Sequence, residues 1–215
     1  EQIIRAPEKG LLATIAWQIN GKPTYAMDGG VYDASAAVEW AGRLGLFSDF
    51  SQLAAFDQPP AISRQLAFVP ALSGLGCPHW DRSAAALWVG MNGGTTREDM
   101  CQALLEGVAL RSVEVITSMD DFLNVTDHLS IDGGLARSPY FAQFLADALQ
   151  RNIVTQRFDE LTAFGCAALA AKGIGVELKA PRNTSTTFRP KASAGEALQW
   201  RATFADAVKR CTHWR

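Results

Sequence analysis

No run of this sequence is long and apolar enough to span a membrane, and no Lys/Arg cluster supplies the basic field that nucleic-acid binding needs. The formal net charge is only −2. Neither a membrane anchor nor a nucleic-acid partner is therefore expected. Cysteine is sparse and dispersed: Cys77, Cys101, Cys166 and Cys211 form no C-x-x-C pair, so neither a zinc site nor a secreted disulfide framework is indicated, and buried free thiols are expected. His79, His128 and His213 are as scattered, and no metal site is expected from them. Residues Glu1 to Gly10 lack the basic start and apolar core of a signal peptide, which points to a cytoplasmic protein. What is abundant is core material. At 215 residues and 48% hydrophobic, the chain can bury a full core as one domain, or as one domain with an appendage.

The apolar runs Leu11 to Gln18 and Thr24 to Met27 flank Asn20-Gly21, a strong hairpin signal. Ala37, Val38, Ala41 and Leu44 recur at helical spacing before Gly45, and a shorter helix is expected between Phe50 and Phe56. Leu66 to Val69 and Ala84 to Val89 read as strands. Between them, Pro70 to Asp81 is too rich in Gly and Pro to be regular, yet carries Leu75 and Trp80, so it reads as an ordered loop with Trp80 capping the core. Thr95 and Glu98 fit a capping box opening a helix of about 25 residues, whose apolar stripe runs from Met100 to Leu123; Glu106 and Glu114 fall on its polar side and are expected to be solvated. Thr162 to Lys172, ended by Gly173, is a small-residue helix suited to packing on a sheet, Lys179 to Ala194 a surface connection, and Glu196 to Trp214 a terminal helix.

The stretch from Leu129 to Pro139 carries the candidate chemistry. A short strand runs into Asp132-Gly133-Gly134, and Ser138-Pro139 opens a helix with Ser138 at the N-cap and Pro139 at the first helical position. Two glycines let the backbone take positive φ and let a flat ligand approach, while free N–H groups at the helix start favour polar or anionic groups. The spacing lacks the G-x-G-x-x-G dinucleotide fingerprint, and a plain connection between a strand and a helix accounts for the glycines equally well.

Several blocks, in this order, resemble the C-terminal domain of the FGGY carbohydrate kinases, and most of all the glycerol kinases among them. They are Glu8 to Ala16, Pro70 to Asp81, Leu104 to Ala109, Ile131-Asp132-Gly133-Gly134 and Leu161 to Leu169. The resemblance implies an α/β, ribonuclease H-like (actin-type ATPase) domain, a mixed sheet flanked by helices, over residues 1–190, with a helical extension over 191–215. It implies that strands Leu11 to Gln18, Thr24 to Met27, Ala84 to Val89 and Leu129 to Ile131 share one sheet. It also implies ATP with Mg2+ as cofactors, an adenine nucleotide held at Gly90, Gly133, Gly134 and Ser138, and a polyol or sugar as phosphoryl acceptor, glycerol first. Ser138 stands where glycerol kinases usually carry Asn, and Ser-Pro at this place also occurs in pentulose kinases, so the acceptor stays open.

Family members are roughly twice this length. Their N-terminal domain carries a phosphate loop, the sugar-binding residues and the catalytic aspartate, and a second, Gly-Thr-Gly phosphate loop precedes the segment like Glu8 to Ala16. No catalytic residue and no metal ligand is assigned to this chain, the missing N-terminal domain is its expected partner, homo-oligomerisation is left open, and the chain alone is expected to be inactive. The competing reading is a stand-alone nucleotide-binding or scaffolding module.

Overall fold

Asn20 and Gly21 take positive φ (50° and 75°) and join β1 (Leu12–Ile19) to β2 (Lys22–Asp28) as an antiparallel hairpin. Two successive positive φ values give a turn whose twist matches that of the strands, which is why Asn-Gly is legible in sequence. The computed structural model describes residues 10–156, 160–179 and 184–215; Glu8 and Lys9 of the first family-like block lie outside them.

Helix α1 (Ser35–Arg43) buries Ala37, Val38 and Ala41 and stops at Gly45, where φ is 77°. A single 3-10 turn, Phe50–Leu53, stands in place of the helix expected up to Phe56. A second 3-10 turn, Ala61–Arg64, leads into β3 (Ala67–Val69), which pairs antiparallel with β4 (Leu87–Val89). After the long α2 (Arg97–Asp120) come β5 (His128–Ile131), α3 (Pro139–Leu149) and β6 (Asn152–Gln156), a strand–helix–strand unit with β5 and β6 parallel. Then follow α4 (Leu161–Gly173), β7 (Ser185–Phe188) and α5 (Ala194–Cys211).

The strands do not share one sheet. Among the described residues β1–β2, β3–β4 and β5–β6–β7 form three separate sheets. The four strands expected to share a sheet were each recognisable from their own composition, but a strand's partner is a non-local choice that alternation along one strand does not encode. The stretch expected to be a surface connection from Lys179 to Ala194 contains β7, which pairs antiparallel with β6; residues 180–183 of it lie outside the described residues.

The core is built around α2. From Cys101 to Arg111 every residue of this helix is buried, so it is a central helix covered on all sides rather than one with a single apolar stripe. It packs against α1, β3, α3 and α5. Phe68 and Trp88, on paired strands, lie 4.2 Å apart between ring centroids, with Trp40 of α1 stacked on both, and Phe144 of α3 stacks on Trp200 of α5. Helix α5, in the segment set apart from residue 191, contributes Trp200, Phe204, Val208 and Cys211 to this same core.

Four local expectations change. The cap of α2 is Thr96 with Asp99, one residue later than Thr95 with Glu98, because the Thr95 hydroxyl is occupied in accepting the Asn92 N–H at 2.9 Å. Glu106 is fully buried and Glu114 is paired with Arg111, so neither is simply solvated. Cys166 is exposed, unlike the other three thiols. Helix α4 buries none of its residues and therefore does not pack tightly on a sheet among the described residues.

Pro70 to Asp81 is an ordered loop, held from several sides. The Asp33 carboxylate accepts the Ser73 N–H and hydroxyl, the Cys77 N–H donates to Gly30 O, and the buried Arg111 donates to Cys77 O. Trp80 Nε1 donates to Gly10 O at 2.7 Å, and its ring is 40% exposed, so it latches the hairpin's entry rather than sealing the core. Asp81 accepts the Ser83 hydroxyl and the His213 N–H, and these bonds hold its carboxyl down at about 2.

At Gly107 a Cβ would stand 2.0 Å from the Phe68 carbonyl oxygen, a backbone atom of β3 that cannot move alone. Gly107→Ala is therefore expected to destabilise the chain by about 3 kcal/mol or more, as overpacking at a rigid contact does. Urea unfolding measures this; an unchanged midpoint would show that α2 and β3 are not in backbone contact.

Candidate functional site

β5 ends at Ile131, and the chain then passes through Asp132 and Gly133, with Gly133 at φ 84° and ψ −175°. That conformation is open to glycine and strained for any side chain. Gly134–Arg137 forms a 3-10 turn, and Ser138 caps α3 with Pro139 at its start, as the sequence indicates. Asp132, Gly133 and Gly134 are exposed. A Cβ at Gly134 would meet nothing within 4 Å, and its φ is not in the left-handed region. Neither packing nor backbone geometry inside the chain requires a glycine there; bare backbone at that point leaves room for something approaching from outside.

Ser138 is fully buried. Its hydroxyl donates to Leu53 O at 2.6 Å and accepts the Phe141 N–H at 3.1 Å, so it fixes the end of the loop rather than facing solvent. The neighbouring Tyr140 N–H donates to Ala54 O at 3.1 Å. The start of α3 is thus tied by two bonds to the segment around the Phe50–Leu53 turn. Gly90 lies elsewhere. It ends β4, in a different sheet from β5, with φ 91°, and a Cβ there would fall 1.8 Å from Gln65 O. Its glycine is demanded by the close approach of the Gln65 backbone.

Sequence reading did not single out the polar cluster behind the loop. Glu106, on α2, sits where its carboxylate accepts the N–H groups of Ala61 and Ile62, each at 2.8 Å, and the Tyr140 hydroxyl at 2.5 Å. Gln102 donates to the Tyr140 hydroxyl at 2.8 Å and to the Pro59 carbonyl, and accepts from Arg64, which also pairs with Asp99. Burial pushes the Glu106 carboxyl up to about 7, against the opposing pull of those hydrogen bonds. Burial and the facing carboxylate push the Tyr140 hydroxyl up as well. The only sequence signal was a Glu at an i, i+4 offset from Gln102 among apolar residues, which reads equally well as a solvated face.

A cavity of about 570 Å³ opens between the end of α1, the Phe50–Leu53 turn and the start of α2, lined by Leu46, Phe47, Gln52, Phe56, Arg97 and Cys101. None of Gly90, Gly133, Gly134 or Ser138 lines it.

The strand, glycine turn and capped helix are set on a strand–helix–strand unit of an α/β domain, with free backbone at the turn. The family described as "FGGY family of carbohydrate kinases, C-terminal domain" matches residues 2–174, and the chain belongs to that family. Glycerol kinase from Alkalilimnicola ehrlichii is 37% identical over 208 residues, and that from Haloarcula marismortui 33% over 216; these matches cover 95% and 97% of this chain and 42% of each relative. The crystal structure of Plasmodium falciparum glycerol kinase with ADP superposes with a TM-score of 0.75 at 27% identity, covering 94% of this chain and 42% of that one. The fold is accordingly the α/β, ribonuclease H-like fold of actin-type ATPases, and the chain spans under half the length of the glycerol kinases it matches.

The raised Glu106 carboxyl sets a pH dependence. Between its ordinary value of 4.5 and about 7, the folded chain binds more protons than the unfolded chain, so stability from this group is fully present below about 4.5 and is lost as pH rises through about 7. The loss is on the order of 3 kcal/mol. Melting temperature should fall over that interval, and the fall should be smaller in Glu106→Gln, which does not titrate. Parallel profiles for the two proteins would show that Glu106 is not buried as described.

Proposed function

We propose that this chain is the ATP-side domain of a carbohydrate or polyol kinase, which transfers the γ-phosphate of ATP to a substrate hydroxyl, with glycerol the first acceptor to test. The observation that carries the reading is Gly134, exposed bare backbone where neither packing nor φ calls for glycine, at the head of a capped helix. Family membership and the similarity to a glycerol kinase solved with ADP support it.

In this reading Gly133 and Gly134 face the nucleoside end of the nucleotide, and Ser138 holds the loop's far end through Leu53. Gly90 keeps β4 against the Gln65 backbone and reaches the nucleotide only through that packing. Phosphoryl transfer rests on positioning and charge stabilisation from both sides of a cleft. Residues 1–190, with the helical segment 191–215 packed onto them, supply one side, and the catalytic base is assigned to a partner N-terminal domain. Mg2+ would arrive with the ATP phosphates. Among the described residues no three His, Cys, Asp or Glu side chains converge, so no residue here is assigned to hold it.

Uncovered apolar surface supports such a partner. Leu12, Ile15 and Trp17 of the β1–β2 hairpin are about half exposed, Leu169 is half exposed on α4, and Ile174 just beyond it is 80% exposed. A lone hairpin with apolar residues in water is marginal by itself. No described helix is long and apolar enough to cross a membrane, and we assign the kinase to the cytoplasm by its similarity to the glycerol kinases.

Two outcomes test the reading. Gly134→Val should weaken ATP binding at least tenfold while melting temperature stays within about a degree, since an added Cβ there meets nothing within 4 Å and φ is not left-handed; equal affinity removes the loop from the site. The purified chain alone should not phosphorylate glycerol. Adding an N-terminal half from a glycerol kinase of the kind it matches, fused or in trans, should give ATP-dependent phosphorylation at rates of about 1–100 per second. Turnover at that rate by the chain alone would overturn the assignment of the base to a partner.

A further inference from the structure

We infer that Glu106 is a positioning residue for the nucleotide loop, acting through Tyr140 to hold the start of α3 and with it the Gly133–Ser138 turn. The inference rests on the nucleotide reading above for its consequence, but its geometry stands apart from any ligand. Glu106 Oε1 binds both the Ala61 N–H and the Tyr140 hydroxyl, while Oε2 binds the Ile62 N–H, so one carboxylate on α2 joins the Ala61–Arg64 turn to the first turn of α3. Tyr140 stands two residues after Ser138, and its ring is held edge-on by Phe56 at 4.7 Å and stacked on Phe144 at 6.2 Å. Its backbone N–H reaches Ala54 beside the Ser138 bond to Leu53. A Cβ at Gly133 or Gly134 would meet nothing within 4 Å, and at the ends of the turn Ala136 N–H donates to Gly133 O and Ser138 N–H to Leu135 O. Its helical end is held jointly by the backbone at Leu53 and Ala54 and, through the Tyr140 hydroxyl, by Glu106 of α2.

The groups facing Glu106 are Tyr140 from α3, the backbone of the Ala61–Arg64 turn with Arg64 beyond it, and Gln102 from α2 itself. As a carboxylate, Glu106 accepts three donors. As an acid it gives up one acceptor position, and the Tyr140 hydroxyl is the donor not fixed in a backbone turn. The Tyr140 bond favours the charged form, so releasing Tyr140 while Glu106 stays buried raises its affinity for a proton. Linkage then makes order in the loop rise with pH through about 7. That slope is opposite in sign to the slope of global stability, in which Glu106 favours the lower pH. A residue that merely fills the core would give both the same sign.

Amide hydrogen exchange reads the two separately in the intact 215-residue chain. Protection of the amides from Gly134 to Ala142, corrected for intrinsic exchange, should increase severalfold from about pH 6 to about pH 8 in the parent, while melting temperature falls. Tyr140→Phe keeps the ring and removes the hydroxyl; protection of this segment should drop about tenfold or more, the scale of one hydrogen bond to a charged group, and its pH slope should disappear. Binding of ATP with Mg2+ should weaken by a similar factor. Equal protection and an equal slope in Tyr140→Phe and the parent overturn the inference. So does loop protection that falls with pH in the parent, a measurement that decides the matter even if the variants lose their fold. If exchange behaves as expected but the parent binds no ATP, the positioning stands and the nucleotide reading fails. If the parent binds ATP and exchange is unaltered by Tyr140→Phe, the reverse holds.

Discussion

The close approach of β3 to α2 at Gly107 is the constraint from which the rest of the structure follows. Because a helix whose backbone meets a strand's backbone cannot shift by a methyl group, α2 is fixed in depth and rotation, and every element that packs on it inherits that setting. Its burial from Cys101 to Arg111 follows directly. So does the polar content of the interior. A helix enclosed on all sides and carrying Gln102, Glu106 and Arg111 must find partners for all three, since an unpaired buried charge costs several kcal/mol.

Those partners lie in loops and helix starts. Arg111 serves the Pro70 to Asp81 loop through the Cys77 carbonyl, while Glu106 and Gln102 serve the segment from Gln58 to Arg64 and the first turn of α3. Replacing such groups with apolar residues of the same volume would not obviously lower stability. Their evident effect is specificity of placement: three segments without long regular structure are each held by a side chain from one rigid helix. The two family-like blocks with the most distinctive residues, Pro70 to Asp81 and the Asp-Gly-Gly turn, are both held in this way, the second at its helical end.

Membership in the FGGY family gives a second meaning to what is uncovered. The chain spans under half of each glycerol kinase it matches, and its described surface leaves a hairpin and a helix with little to pack on. Under the kinase proposal, chemistry divided between two walls would fit that arrangement, because phosphoryl transfer asks chiefly for the alignment of two substrates in a space from which water is excluded.

Sequence alone determined the local elements. The hairpin at Asn20-Gly21, the stop at Gly45, the long α2, the Ser138-Pro139 cap and the terminal helix are all set by interactions within a few residues, and short-range signals report them. The family blocks were legible for the same reason, as fixed strings of residues. Only tertiary structure decided how strands pair, and among the described residues it distributed them over three sheets where one was expected, because backbone hydrogen bonds between strands are blind to most of the sequence. It also decided the fate of the polar side chains. Glu106 on a helix surface reads as solvated until the neighbours on every side of that helix are known, and Gly90 and Gly134 look alike until one is found against a carbonyl and the other in open space. Burial is a property of what comes from elsewhere in the chain, and no window of sequence around a residue contains it.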